Sequence, residues 1–175
     1  MAAALVIVPQ AAWAAIAPGT PPLKKCAGSY AEAPGFNPAV FDDTSTWIQY
    51  TGIWNVVNDT DGGLAPTMHF TDAGEDDTPS DNWATLYFYG NAVTFFYRTE
   101  PGAGGIGIYF DDKLDAPAYQ FSQSSYDGGR YYKGITYCDN VNGARWHSIR
   151  IYTHNTREYY YTTNVDGFQI HQYVY

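Results

Sequence analysis

The chain has 175 residues, enough for one domain of ordinary size with a terminal extension and too few for a second full core. Nine lysines and arginines stand against 18 aspartates and glutamates, and the resulting charge of −9 argues against nucleic acid and anionic lipid as partners. Aromatic residues make up 18% of the chain, and the 17 tyrosines among them suit β surfaces while leaving hydroxyls for a partner.

Residues 1–17 are apolar and alanine-rich, and Ala12-Trp13-Ala14 puts small residues at the two positions a signal peptidase reads. The run has no positive n-region and is interrupted by Pro9, so it reads as an export signal, cleaved or truncated, or as a retained segment. It does not read as a stable membrane span. Ala-Pro-Gly-Thr-Pro-Pro at 17–22 opens a stretch without periodicity, and residues 18–39 have the pattern of a linker; the domain proper is expected over 40–175.

Within that domain Ile48 and Tyr50 alternate with Trp47, Gln49 and Thr51, which predicts a strand. Residues 58–63 are a turn-rich loop, 67–71 a short strand and 72–82 an acidic loop. Three strands follow over 83–114. Ala84, Leu86 and Phe88 share one face of the first, Val93, Phe95 and Tyr97 one face of the second, and Ile106, Ile108 and Phe110 one face of the third. The tight Gly90-Asn91 link and the glycine-rich 100–105 segment suggest an antiparallel meander. Further strands are expected over 119–121, 131–137, 146–152 and 159–170, with Asn142-Gly143 as a turn. The total is about nine short strands with no helical period after the leader: an all-β antiparallel sandwich behind an irregular or apolar N-terminal extension.

Cys26 and Cys138 form no metal-ligand spacing. In an exported chain they would pair and pin the N-terminal segment to the sandwich; two separately buried thiols are the other reading. The glutamates, Glu32, Glu75, Glu100 and Glu158, offer no buried acid pair for glycoside hydrolysis, no Gly-x-Ser-x-Gly is present and the four histidines are dispersed. A non-enzymatic chain is therefore expected. Asp59 and Asp61, or Asp72 and Asp76 with Glu75 and Asp77, could ligate a structural calcium ion, against the plainer reading of solvated acidic loops. Asp166 sits between apolar residues of a strand and is expected to hydrogen-bond within the fold.

Sugar binding needs flat aromatic faces beside polar groups. Trp83, Tyr126, Arg130, Tyr131 and Tyr159 are the foremost candidates near loops or strand ends, with Tyr132, Tyr160 and Tyr161 beside them. Trp47, Trp54 and Trp146 are expected in the core. Asn58-Asp59-Thr60 matches the N-glycosylation spacing in a surface loop.

One ordered set of motifs resembles a known family. It comprises Asp42-Asp43, Ile48-x-Tyr50-x-Gly52-x-Trp54-Asn55, Gly62-Gly63, Met68-His69-Phe70, Ala84-x-Leu86-x-Phe88-x-Gly90-x-Ala92-Val93, Ile108-x-Phe110-Asp111, His147-x-Ile149-x-Ile151 and Val165-Asp166-x-Phe168. Over roughly residues 41–170 the chain resembles the galactose-binding-like jelly rolls, in particular the carbohydrate-binding-module-like repeats of secreted bacterial and fungal proteins. Tyr97, Asp112, the 72–82 loop and two residues between Gly143 and His147 depart from that pattern. The resemblance implies a jelly-roll sandwich, an extracellular setting and a non-catalytic role at a cell surface or in a matrix. With the loop aromatics, it makes a glycan or cell-surface polysaccharide the expected partner. The competing expectation is a subunit of an extracellular filament or surface array, a homo-polymer assembling through aromatic faces and a donated N-terminal strand.

Overall fold

The computed structural model describes residues 20–59, 63–64, 66–72, 82–113, 117–123, 125, 129–154 and 162–175. Among these residues there is no helix, and every strand pairing is antiparallel. One five-stranded sheet runs in the order β1 (Lys24–Lys25), β11 (Tyr131–Cys138), β8 (Ala92–Thr99), β14 (Gly167–His171), β3 (Ala39–Asp42). A second runs β10 (Tyr119–Ser122), β9 (Gly105–Phe110), β12 (Arg145–His154), β7 (Trp83–Gly90), β4 (Ile48–Thr51). A three-stranded sheet, β13 (Thr162–Val165), β6 (Thr67–Asp72), β5 (Asn55–Asn58), and the pair β15 (Tyr173–Val174) and β2 (Ala31–Glu32) complete it. Among the described residues fifteen strands thus stand where about nine were expected; the additional ones are short pairings that leave no alternation long enough to recognise.

The two five-stranded sheets bury their apolar faces in one shared core, a sandwich-like arrangement. The second sheet contributes Ala84, Leu86, Phe88, Ile106, Ile108, Ile149 and Ile151, and the first Val93, Phe95, Tyr97, Tyr137, Phe168 and Ile170. The faces are those the alternation predicts, because period 2 decides which side chains leave water.

The meander is corrected. β7 and β9 lie in the second sheet and β8 in the first, so consecutive strands do not pair but cross the core. The corner is held by Asn91. Its Nδ2 donates to the carbonyls of Val141 (2.9 Å) and Tyr173 (2.8 Å), its Oδ1 accepts from Tyr173 N, and its backbone bonds His171 and Asp139. Gly90 makes the corner passable, since a Cβ there would lie 2.7 Å from His171 O. A hairpin and a corner both turn Phe88 and Val93 toward the core, so the pattern of one strand could not choose between them.

The stretch read as a linker contributes β1, β2 and the core residue Leu23. Cys26 and Cys138 are disulfide-bonded, with Cα atoms 5.3 Å apart, at the point where Lys24 pairs with Cys138. No helix of the described residues is long and apolar enough to cross a membrane.

Candidate functional site

The outer face of the second sheet gathers most of its aromatic and polar side chains into registered rows. One row runs Gln120, Gly107, Tyr152, Trp83, Thr51 across all five strands; the next runs Tyr109, Arg150, Thr85, Gln49. Cross-strand neighbours on one face stand close enough for aromatic rings to meet. Trp83, half-buried, stacks on Tyr152 (centroids 5.1 Å apart) and lies 5.5 Å from Tyr109, which in turn is 5.2 Å from Tyr152. Gly107 makes this packing possible, because a Cβ there would fall inside the Tyr152 ring.

Arg150 caps the group. Its Cζ lies 5.2 Å from the Trp83 ring centroid, its Nε donates to Thr85 Oγ1 (3.2 Å) and its Nη2 to Asp112 Oδ1 (3.4 Å). Tyr87 donates its hydroxyl to the same Asp112 carboxylate (3.2 Å). Burial, and then the Asp112 charge, raise the Tyr87 hydroxyl above its ordinary value. Gln49, Thr51, Trp83, Thr85, Tyr87 and Arg150 enclose a hollow of about 180 Å³. Tyr152 and Tyr109 are buried (3% and 9% exposed), so the rings that line the hollow are Trp83 and Tyr87; with the amide, hydroxyl and guanidinium groups around them they can hold a polyhydroxylated ligand, C–H groups against a ring and hydroxyls against the polar edge.

Trp83 is the sequence-predicted residue at the centre of this face. Arg130 and Tyr131 lie in and beside β11 of the other sheet, so they do not join it. Arg130, its side chain 58% exposed, approaches Glu100 (3.6 Å), and Tyr131 has Lys133 Nζ 5.4 Å from its ring centroid. Tyr126 and Tyr159 lie outside the described residues. Arg150, Tyr152, Gln49 and Asp112 were missed. The alternation of Trp146, Ser148, Arg150 and Tyr152 marks a polar face on that strand, but only its register against Trp83 makes them neighbours. Trp47 is 42% exposed beside Phe41, and Trp146 packs on Tyr89 on the outer face, so neither is the core residue expected, whereas Trp54 does pack against the core.

Asp59, one of the candidate calcium ligands, is buried and held by Arg98 Nη1 (2.5 Å), while Arg98 Nη2 binds Glu100 (2.6 Å). Asp61 and Asp76 lie outside the described residues, and Asp72 is described only through its backbone, paired with Thr162. Among the described residues no cluster of three or more His, Cys, Asp or Glu side chains is placed to hold a metal ion.

Asp166 is internal to the fold, as expected. Its Oδ2 accepts from Leu64 N (2.9 Å), while Oδ1 is buried without a partner among the described residues, beside a second hollow of about 260 Å³ lined by Gly63, Leu64, Phe96, Tyr132, Lys133 and Gly134. Burial raises the Asp166 carboxyl above its ordinary value; the Leu64 amide offsets part of this, while Asp43 and Asp59 add to it.

No family model matches the chain, and no curated protein matches it. Among solved structures it is similar to the Agl-KA catalytic domain, at 12% identity and a TM-score of 0.44, over 83% of this chain and 30% of that one. The chain thus spans less than a third of that structure. The matched structure is described as a catalytic domain, which runs against the expectation of a non-enzymatic chain, and that expectation is withdrawn. A likeness this distant transfers no activity and no substrate. The N-terminal segment before residue 20, which the filament expectation would use as a donated strand, lies outside the described residues.

Proposed function

We propose that this chain is an extracellular carbohydrate-binding module of the galactose-binding-like, jelly-roll kind, and that it holds neutral glycans on the outer face of its second sheet. The observation that carries this reading is the Trp83 platform: a half-buried indole stacked on Tyr152, capped by Arg150, beside a hollow edged by Gln49, Thr51, Thr85 and Tyr87. The mix of donors and acceptors suits hydroxyls, each of which can both give and take a hydrogen bond. Neutral rather than acidic glycans fit the charge of −9 and the Asp112 carboxylate next to Arg150. The disulfide is compatible with an oxidising, extracellular setting.

The test is affinity electrophoresis in gels carrying barley β-glucan, galactan, mannan or dextran, with Trp83→Ala as control. The wild-type chain is expected to be retarded by at least one polysaccharide. Trp83→Ala, folded by far-ultraviolet circular dichroism, is expected to bind at least tenfold more weakly, about 1.4 kcal/mol. A wild-type chain that none retards, or a Trp83→Ala variant that binds equally well, overturns the reading.

A further inference from the structure

After β9 the chain turns through Asp111 and Asp112, with Lys113 N donating to Phe110 O (3.1 Å). Both aspartates have left-handed backbones, φ 55° and 54°, in a conformation that favours glycine. Asp111 has a structural reason to be there: its carboxylate accepts from Ser148 N (3.2 Å) and meets the buried His147 Nδ1 (3.0 Å). Asp112 has no such role. Its side chain is 39% exposed and reaches outward to Tyr87 and to Arg150, two side chains that line the Trp83 hollow.

Resting on the reading of that hollow as a glycan site, we infer that Asp112 is its positioning and specificity-determining residue. Strained backbone at a non-glycine residue is retained where the side chain does something glycine cannot. Here the carboxylate fixes the guanidinium plane. Arg150 is held at Nε by Thr85 (3.2 Å), at Nη2 by Asp112 (3.4 Å) and over its face by Trp83. A donor held in place before the ligand arrives loses less side-chain freedom on binding. The same carboxylate neutralises Arg150, so the hollow presents oriented donors without a net positive charge. That arrangement accepts a neutral sugar and gives no advantage to a uronate, which would otherwise find an unpaired guanidinium suited to its carboxylate.

The experiment compares Asp112→Gly, Asp112→Asn and Trp83→Ala with the wild-type full chain, against the best-bound neutral polysaccharide of the four above and against polygalacturonate. Asp112→Gly removes the anchor and the strain together. It is expected to melt no lower than wild type, to bind the neutral polysaccharide about tenfold more weakly, and to gain retardation by polygalacturonate. Asp112→Asn, which tolerates the same backbone and keeps an acceptor oxygen, is expected to lose less neutral binding than Asp112→Gly. A variant Asp112→Gly that binds both polysaccharides like wild type overturns the inference. So does one that melts lower, since Asp112 would then be a brace of the fold. If the wild type binds no polysaccharide, or Trp83→Ala binds like wild type, the glycan reading fails and takes this inference with it. Wild-type binding that Trp83→Ala abolishes and Asp112→Gly leaves intact removes the inference alone.

Discussion

Replacing Asp166 by Asn tests whether the buried carboxylate burdens the fold. Asp166 is 2% exposed; Oδ2 has the Leu64 amide and Oδ1 has no partner among the described residues. Its folded pKa lies above the ordinary 3.8, with burial as the main cause. Below 3.8 both folded and unfolded chains keep the proton, and the group makes no difference to stability. As pH rises past 3.8 the unfolded chain releases its proton while the folded chain retains it, so stability falls until the pH passes the folded value. Asn keeps an acceptor for Leu64 and carries no charge at any pH. At pH 7 Asp166→Asn is therefore expected to be more stable by about 1.4 kcal/mol for each pH unit by which burial raises the folded carboxyl, less the cost of the amide's own unpaired N–H. For a chain of this size that is roughly 2–4 °C in Tm per kcal/mol. Urea unfolding followed by tryptophan fluorescence between pH 3 and pH 8 measures it, and the gap between the proteins should close toward the acid end. A variant less stable than wild type at pH 7 would refute the reasoning and assign Oδ1 a partner that an amide cannot replace. Repeating the titration with calcium or a chelator then tells whether that partner is a cation.

Removing the disulfide in Cys26→Ser/Cys138→Ser opens a loop of 112 residues, for which the chain-entropy relation gives about 4.8 kcal/mol. The expected result is a loss approaching that value in chemical unfolding, and a loss below about 1 kcal/mol would mean that β1 and Leu23 hold the segment unaided. Gly107→Ala places a methyl group in the Tyr152 ring and is expected to cost about 1–3 kcal/mol, as overpacking does. It should also weaken polysaccharide binding and alter the near-ultraviolet dichroism of the Trp83–Tyr152 stack; an unchanged spectrum would show that the platform does not depend on this glycine.

Which side chains meet the core was legible in the chain itself. Ala84, Leu86 and Phe88, Val93, Phe95 and Tyr97, and Ile106, Ile108 and Phe110 all face inward as their alternation requires, because burial and period 2 are local properties of one strand. Trp83 was picked out as an aromatic beside a polar loop, and the structure puts it on the outer face of the second sheet, half-buried. Pairing was not legible. Whether β8 lies beside β7 or across the core from it depends on Asn91 reaching carbonyls 50 and 82 residues away, which no local pattern encodes. The same holds for the site. Arg150 joins Trp83, and Asp112 joins Arg150, only because β12 pairs with β7 on one side and β9 on the other. Asp59 is the reverse case: an acid in a turn-rich loop invites a cation, yet the fold brings Arg98 onto it from a strand 39 residues on. The sequence by itself determined the all-β class and the inward faces, through local alternation of side chains. Only the tertiary structure decided the neighbours, because long-range register, set by the whole core and its corners, brings distant side chains within reach.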